Sequence, residues 1–168
     1  MSKVAKPYPI IEDTILNKVE DAPSPPFRSN GGVMFPFATS RPQSQMTAFE
    51  KMGLVRQGIS KTDFEGFKEK AGLDYDQLAA TLAVARATLI NKKGVEKFNS
   101  TLSEKIVSLA DIYSYGYEVF EDIKVFNQWV FRPNLALGGA KPYDLLDNQY
   151  GREEVRDLIG RIDYGVYS

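Results

Sequence analysis

From about residue 44 onward, apolar positions recur every three or four residues, the period of a helix with one buried face. "QMTAFEKMGLVRQG" stops at Gly58, and "SKTDFEGFKEKAG" runs from Ser60 to a second glycine, Gly72; both glycines sit where a helix commonly turns out of its last turn. "LDYDQLAATLAVARATLINKKG" follows, and then "NSTLSEKIVSLADIYSYGYEVF". In the latter, Leu102, Ile106, Leu109, Tyr113, Tyr117 and Phe120 trace one stripe of a long amphipathic helix, with Thr101 and Glu104 spaced as a capping box at its start. Asp122 is placed to cap a shorter helix in "DIKVFNQWVF", and Val155, Leu158, Ile159 and Ile162 give the last helix its apolar stripe. No alternating pattern of strand length and no internal repeat is present, so the fold class is all-α.

Residues 1–43 read differently. "PYPI", "APSPPF", "NGG", "FPF" and "RPQ" punctuate them too often for regular structure, which predicts an extended, Pro-rich N-terminal arm. A short helix is expected within it at "IIEDTILNKVE", where Ile11, Ile15 and Val19 share a face. Phe27, Phe35 and Phe37 are too apolar for a purely solvated tail and predict that part of the arm packs on the domain surface.

Composition changes the picture by what it lacks. The 168 residues contain no cysteine and no histidine. Disulfides, thiolate chemistry and cysteine-based zinc or iron–sulfur sites are excluded, and so are the usual general base near neutral pH and the commonest metal ligand. No catalytic residue, metal or cofactor is expected. Glu153 and Asp157 are one helical turn apart and could in principle serve as a carboxylate pair, but a solvated helix face is the simpler reading. No run reaches the length of a membrane helix, and the N-terminus lacks the apolar core of a secretory signal, so the expectation is a cytoplasmic protein without a membrane partner.

Charge is uneven. Residues 1–43 carry five basic and four acidic side chains, residues 44–93 eight and six, and residues 94–168 eight and twelve. A mildly basic middle and an acidic end fit two different partners, although an unevenly charged solvated surface gives the same totals.

The middle also carries a layout. "YDQLAATLAVARATLINKK" has the spacing of a helix-turn-helix: Leu78 and the small Ala79 on a first helix, a turn at Leu82, Ala83 and Val84, and Leu89 holding a second helix against the first. The second helix would expose Arg86, Thr88, Asn91, Lys92 and Lys93, of which arginine and asparagine suit base edges, and lysine and threonine suit phosphates. Any helical hairpin with a small crossing residue gives a similar pattern, so operator DNA and a purely structural helix pair both remain open. So small a positive charge would bind DNA weakly as a monomer, which favours a homodimer. Lys3, Lys6, Arg28 and Arg41 in the arm are the other place for such contacts.

Beyond Glu118 a series of residues accumulates at fixed spacing: Val119, Phe120, Glu121 and Asp122, then Trp129, then Pro133, Asn134, Ala136, Leu137, Gly138 and Gly139. Pro142, Leu145 and Leu146 come next, followed by Gly151, Val155 and Leu158, and an ending of Arg161, Ile162, Tyr164 and Gly165. Over about fifty residues this resembles the toxin-binding domain of the Xre/MbcA/ParS antitoxins, the partners of RES-domain toxins, and with the upstream helix-turn-helix the resemblance spans residues 44–168. Lys141 stands where the family usually has threonine or serine, and Tyr143 where it has a smaller apolar residue. The implied organisation is an arm at 1–43, an Xre-like helix-turn-helix domain at 44–98, and a helical toxin-binding domain with a C-terminal tail at 99–168.

Residue chemistry alone makes Gly138, Gly139 and Pro142 a tight corner between helices. It leaves the tail, "DYGVYS", equally suited to docking on its own core or on a partner. The resemblance implies the second: a type II antitoxin whose final helix and tail cover the active-site cleft of a RES toxin and exclude its substrate, NAD. Glu154, Asp157, Arg161, Asp163, Tyr164, Gly165, Val166, Tyr167 and Ser168 then become the toxin-binding residues. It further implies repression of the antitoxin's own operon, and leaves open whether the toxin degrades NAD or transfers ADP-ribose from it. The alternative is a stand-alone helix-turn-helix transcription regulator without a toxin partner.

Overall fold

The computed structural model describes Phe35 and residues 41–165. The predicted short helix at "IIEDTILNKVE", and Phe27 and Phe37, lie outside the described residues. So do Lys3, Lys6, Arg28, Val166, Tyr167 and Ser168.

Seven α-helices occur among the described residues: α1 (Ala48–Gln57), α2 (Lys61–Ala71), α3 (Tyr75–Leu82), α4 (Arg86–Ile90), α5 (Ser100–Phe120), α6 (Ile123–Trp129) and α7 (Gln149–Asp163). Short 3-10 turns at Gln43–Gln45, Leu135–Leu137 and Pro142–Leu145 join or precede them. The all-α expectation is met. None of these helices is long and apolar enough to cross a membrane.

Helix ends follow local chemistry. Thr47 and Glu50 form a capping box on α1, Ser60 caps α2 and Asp122 caps α6 through the N–H groups of Lys124 and Val125. Gly58 and Gly72 terminate α1 and α2 with positive φ, as expected. The capping box expected at Thr101 and Glu104 does not form: Asn99 is the cap, its side chain accepting from the Leu102 N–H at 2.9 Å. Asparagine ranks above threonine at this position, and starting two residues earlier adds length to the helix.

α5 is the axis of the molecule, and α1, α2, α3, α6 and α7 all pack on it. Leu102, Ile106, Leu109, Tyr113 and Tyr117 of the predicted stripe are buried along it, while Phe120 at its end is half-buried. Its second half meets α6 through an aromatic cluster in which Phe126 contacts Tyr113, Tyr117 and Phe120 at 5.4 Å between ring centroids. Gly116 makes that approach possible: a Cβ there would lie 2.0 Å from the Phe126 ring. Each such side chain removed from water contributes roughly 1.5–3 kcal/mol. Phe35 is fully buried and packs on Phe67, its ring centroid 6.4 Å away, so one of the three arm phenylalanines is part of the core.

Polar ties fix the helices around this axis. Asp111 on α5 receives Lys51 from α1 at 2.6 Å and Arg156 from α7 at 2.5 Å. The Tyr143 hydroxyl donates to the Gln77 carbonyl at 2.9 Å and accepts from Thr81 at 3.1 Å, tying the segment before α7 to α3. Tyr143 therefore makes long-range internal bonds.

Candidate functional site

Two surfaces collect the residues singled out by sequence. The first is the pair α3 and α4. Leu78, Leu82 and Leu89 are fully buried and Ala79 is buried beside them, so the two helices pack on each other, but Leu82, expected in the turn, is the last residue of α3. No glycine makes the turn. Ala83 itself adopts the left-handed conformation (φ 51°), and the Val84 N–H reaches back to the Ala79 carbonyl at 3.0 Å. A short bridge pairs Ser60 with Lys97 and closes the unit behind α4.

Lys61, which sequence inspection passed over, holds this unit together. Its ammonium is almost fully buried, donates to the Leu89 carbonyl and the Tyr75 hydroxyl, each at 2.6 Å, and pairs with Glu65 at 3.2 Å. Lys61 therefore occupies a carbonyl at the end of α4 that the helix leaves open. Only its i,i+4 pairing with Glu65 is local; its two hydrogen-bond acceptors lie 14 and 28 residues downstream.

The second helix is shorter than "ATLINKK" implies. α4 ends at Ile90 with Asn91 as its C-cap, and Lys92 and Lys93 follow in a loop. A turn from Lys93 to Glu96 follows, with Gly94 at positive φ and the Glu96 carboxylate accepting from the Lys93 N–H at 2.6 Å. Arg86, Thr88, Asn91 and Lys93 are exposed, and Lys92 lies partly covered with its ammonium 6.0 Å from the Phe98 ring centroid. Arg86 is the first residue of α4, and its Nε pairs with Asp76 at 3.0 Å. Arg41, offered as an arm contact, pairs with Glu50 at 3.5 Å, well removed in sequence from α4.

The second surface is α7. Val155, Leu158 and Ile159 are buried against the core, while Ile162 is only half-buried. Asn148 caps the helix by accepting from the Gly151 N–H at 3.0 Å, and Arg152 donates to the Leu146 carbonyl at 2.9 Å. Gly151 has structural work: a Cβ there would lie 1.9 Å from the Leu145 carbonyl oxygen. The corner before it is as predicted, with Gly138 and Gly139 both at positive φ and Pro142 starting a 3-10 turn.

Glu154, Asp157, Arg161 and Tyr164 line one open cleft of about 770 Å³ with Tyr115, Arg156 and Gly160. Sequence inspection named the first four and missed the others; Tyr115 comes from α5, and Arg156 stacks 5.3 Å from its ring. Burial, and next the nearby Asp163 carboxylate, push the Tyr115 hydroxyl above its ordinary range. Asp163 and Gly165 are exposed but do not line the cleft. The Tyr164 side chain is 83% exposed, and Gly165 turns the chain out of the helix at φ 68°.

The described residues thus form a helix-turn-helix unit joined through one long helix to a helical unit whose last helix is followed by the exposed Tyr164 side chain. Two family models match the chain: the antitoxin Xre-like helix-turn-helix domain over residues 51–111, and the antitoxin Xre/MbcA/ParS C-terminal toxin-binding domain over residues 116–165. The Prs ADP-ribosylating antitoxin of a Sphingobium species is 24% identical over 130 residues, covering 71% of this chain and 81% of that protein. Antitoxin Xre of Photorhabdus laumondii is 33% identical over 76 residues, 45% of this chain and 51% of that protein. Antitoxin Xre of Yersinia enterocolitica is 24% identical over 116 residues, covering 68% and 78%. The chain belongs to the Xre/MbcA/ParS-type antitoxins, and its partner is accordingly a toxin.

Proposed function

We propose that this antitoxin neutralises a RES-domain, NAD-consuming toxin by laying α7 and the tail that follows it over the toxin's active-site cleft. The carrying observation is the clustering of Glu154, Asp157, Arg161 and Tyr164 around one open cleft at the end of α7, with Tyr164 almost wholly exposed. An aromatic side chain left in water at the point where a helix releases its chain is a ready anchor for a partner, since buried tyrosine and arginine dominate most interfaces. Asp163, Gly165, Val166, Tyr167 and Ser168 continue the contact. Occlusion needs shape, hydrogen bonds and an exposed aromatic, not a general base or metal, so the antitoxin itself is not an enzyme. The name of the Sphingobium relative, which carries the words "ADP-ribosylating antitoxin", supports a partner whose chemistry uses NAD.

In the same reading, residues 44–98 form the DNA-binding part, residues 99–168 the toxin-binding part, and a homodimer within the toxin–antitoxin complex represses the operon, all in the cytoplasm. Arg86, Thr88, Asn91, Lys92 and Lys93 lie along α4 and the loop after it, which supports a groove contact. The test is a pull-down of the tagged full chain from its source, followed by an NAD-consumption assay on the captured partner. A stoichiometric small protein that consumes NAD, and stops when the full chain is added back, is the expected result. Capture of DNA without any such protein would instead favour a stand-alone regulator.

A further inference from the structure

We infer that Asp76 is a positioning residue for Arg86, fixing its guanidinium so that the outer edge reads a guanine in the major groove. This rests on the DNA-binding reading of α3 and α4. Arg86 opens α4, and residues at the start of a recognition helix are the ones that reach base edges. The ion pair runs through Nε, which lies 3.0 Å from Asp76 Oδ1. Engaging an arginine through Nε leaves its two terminal nitrogens pointing away from the partner, the fork that fits guanine O6 and N7. Both side chains are accessible, Arg86 at 56% and Asp76 at 77%, so the fork is open to a ligand. Ala85 and Ala87 flank Arg86 on the exposed surface, and their small side chains let the backbone come close to a groove wall.

A second consequence concerns charge. Asp74 and Asp76 are both exposed at the start of α3, an unfavourable sign for a surface meant to approach phosphates. The Asp74 carboxylate is turned back onto the Gln77 N–H at 2.7 Å, and Asp76 is offset by Arg86. Removing Arg86 alone therefore does two things: it deletes the base contact and leaves an uncompensated carboxylate facing DNA. Removing both charges relieves the second effect and not the first.

The experiment uses the purified full chain and a library of duplexes with a randomised centre, followed by binding titrations on the enriched duplex and on versions with single base pairs replaced. The wild type is expected to enrich a motif containing a guanine, and to discriminate at that position by between about fivefold and 150-fold, the range of one bidentate contact. Asp76→Ala should reduce that discrimination at the one position while binding random duplex as well as wild type or better, and Asp76→Glu should restore part of it. Arg86→Ala should lose both base preference and random-duplex affinity, and the double variant Arg86→Ala, Asp76→Asn should regain only the affinity. Unchanged melting temperatures establish that these exposed substitutions leave the fold intact. Full retention of the wild-type motif by Asp76→Ala overturns the assignment while leaving DNA binding standing. A wild-type chain that binds no duplex overturns the DNA-binding reading together with it.

Discussion

Replacing Gly151 by alanine isolates the packing that presents α7. The substitution adds one methyl to the first turn of a helix, where alanine is intrinsically better than glycine by up to about 1 kcal/mol. Here that gain is outweighed. The new Cβ would lie 1.9 Å from the Leu145 carbonyl oxygen and 2.7 Å from its carbon, and ordinary contact begins at 3.4 Å. Both obstacles are backbone, so no rotamer relieves them, and the two segments must separate by about 1.5 Å. Overpacking of this kind costs about 1–3 kcal/mol, and lifting Val155 or Ile159 off α5 forfeits part of another ~1.5–3 kcal/mol for each. The net expectation is a loss of about 2–4 kcal/mol, or roughly 5–10 °C in melting temperature for a chain of this size. Gly160 on the same helix is the control. Its Cβ would meet only the Tyr115 hydroxyl, at 3.5 Å, so Gly160→Ala should be neutral or stabilising by up to ~1 kcal/mol. Thermal unfolding by circular dichroism, with urea titration of both variants, decides it. A Gly151→Ala chain that melts at or above the wild type would refute the reasoning.

Three further outcomes are expected. Asp111→Ala removes the common partner of Lys51 and Arg156, in a setting between exposed and buried, and should cost about 1–3 kcal/mol in urea unfolding; an unchanged midpoint would make the three-way tie ornamental. Tyr143→Phe deletes the hydroxyl bonded to Gln77 and Thr81 and should cost about 1 kcal/mol by the same measurement. Finally, the Glu65 carboxyl is held below its usual range, first by the Tyr75 hydroxyl and then by Lys61, and Glu50 is held low, first by the Thr47 N–H. A depressed carboxylate contributes stability in full above the unfolded value, 4.5, and loses it as pH falls through the folded value. Glu65→Gln should therefore flatten the acid side of the melting profile, and parallel profiles for variant and wild type would argue against this origin.

Much of this architecture was legible because its causes are local. The stops at Gly58 and Gly72, the cap at Asp122 and the corner at Gly138, Gly139 and Pro142 are each written within a few residues. Competition between neighbours was less readable: Asn99 and Thr101 are both acceptable caps, and only the fold shows which one is used. The length of α4 was also hidden, because Asn91, Lys92 and Lys93 are polar residues that an exposed helix end and a loop carry equally well. Long-range chemistry left no trace in spacing at all. Lys61 reads as a surface lysine until Tyr75 and Leu89 fold over it, and Asp111 becomes a junction only when α1 and α7 meet on α5. The site divides in the same way. Glu154, Asp157, Arg161 and Tyr164 were readable from the last helix, whereas Tyr115 joins them from a helix almost forty residues upstream.

The central claim, toxin neutralisation by the end of α7 and its tail, separate from the helix-turn-helix, is tested most directly by deleting residues 164–168. The truncated chain is assayed beside the full chain for suppression of the partner toxin's activity and for duplex binding, with melting temperature as the check on folding. Neutralisation lost, with duplex binding and melting temperature retained, is the result the account predicts. Full neutralisation by the truncated chain would contradict it and move the inhibitory contact elsewhere on the molecule.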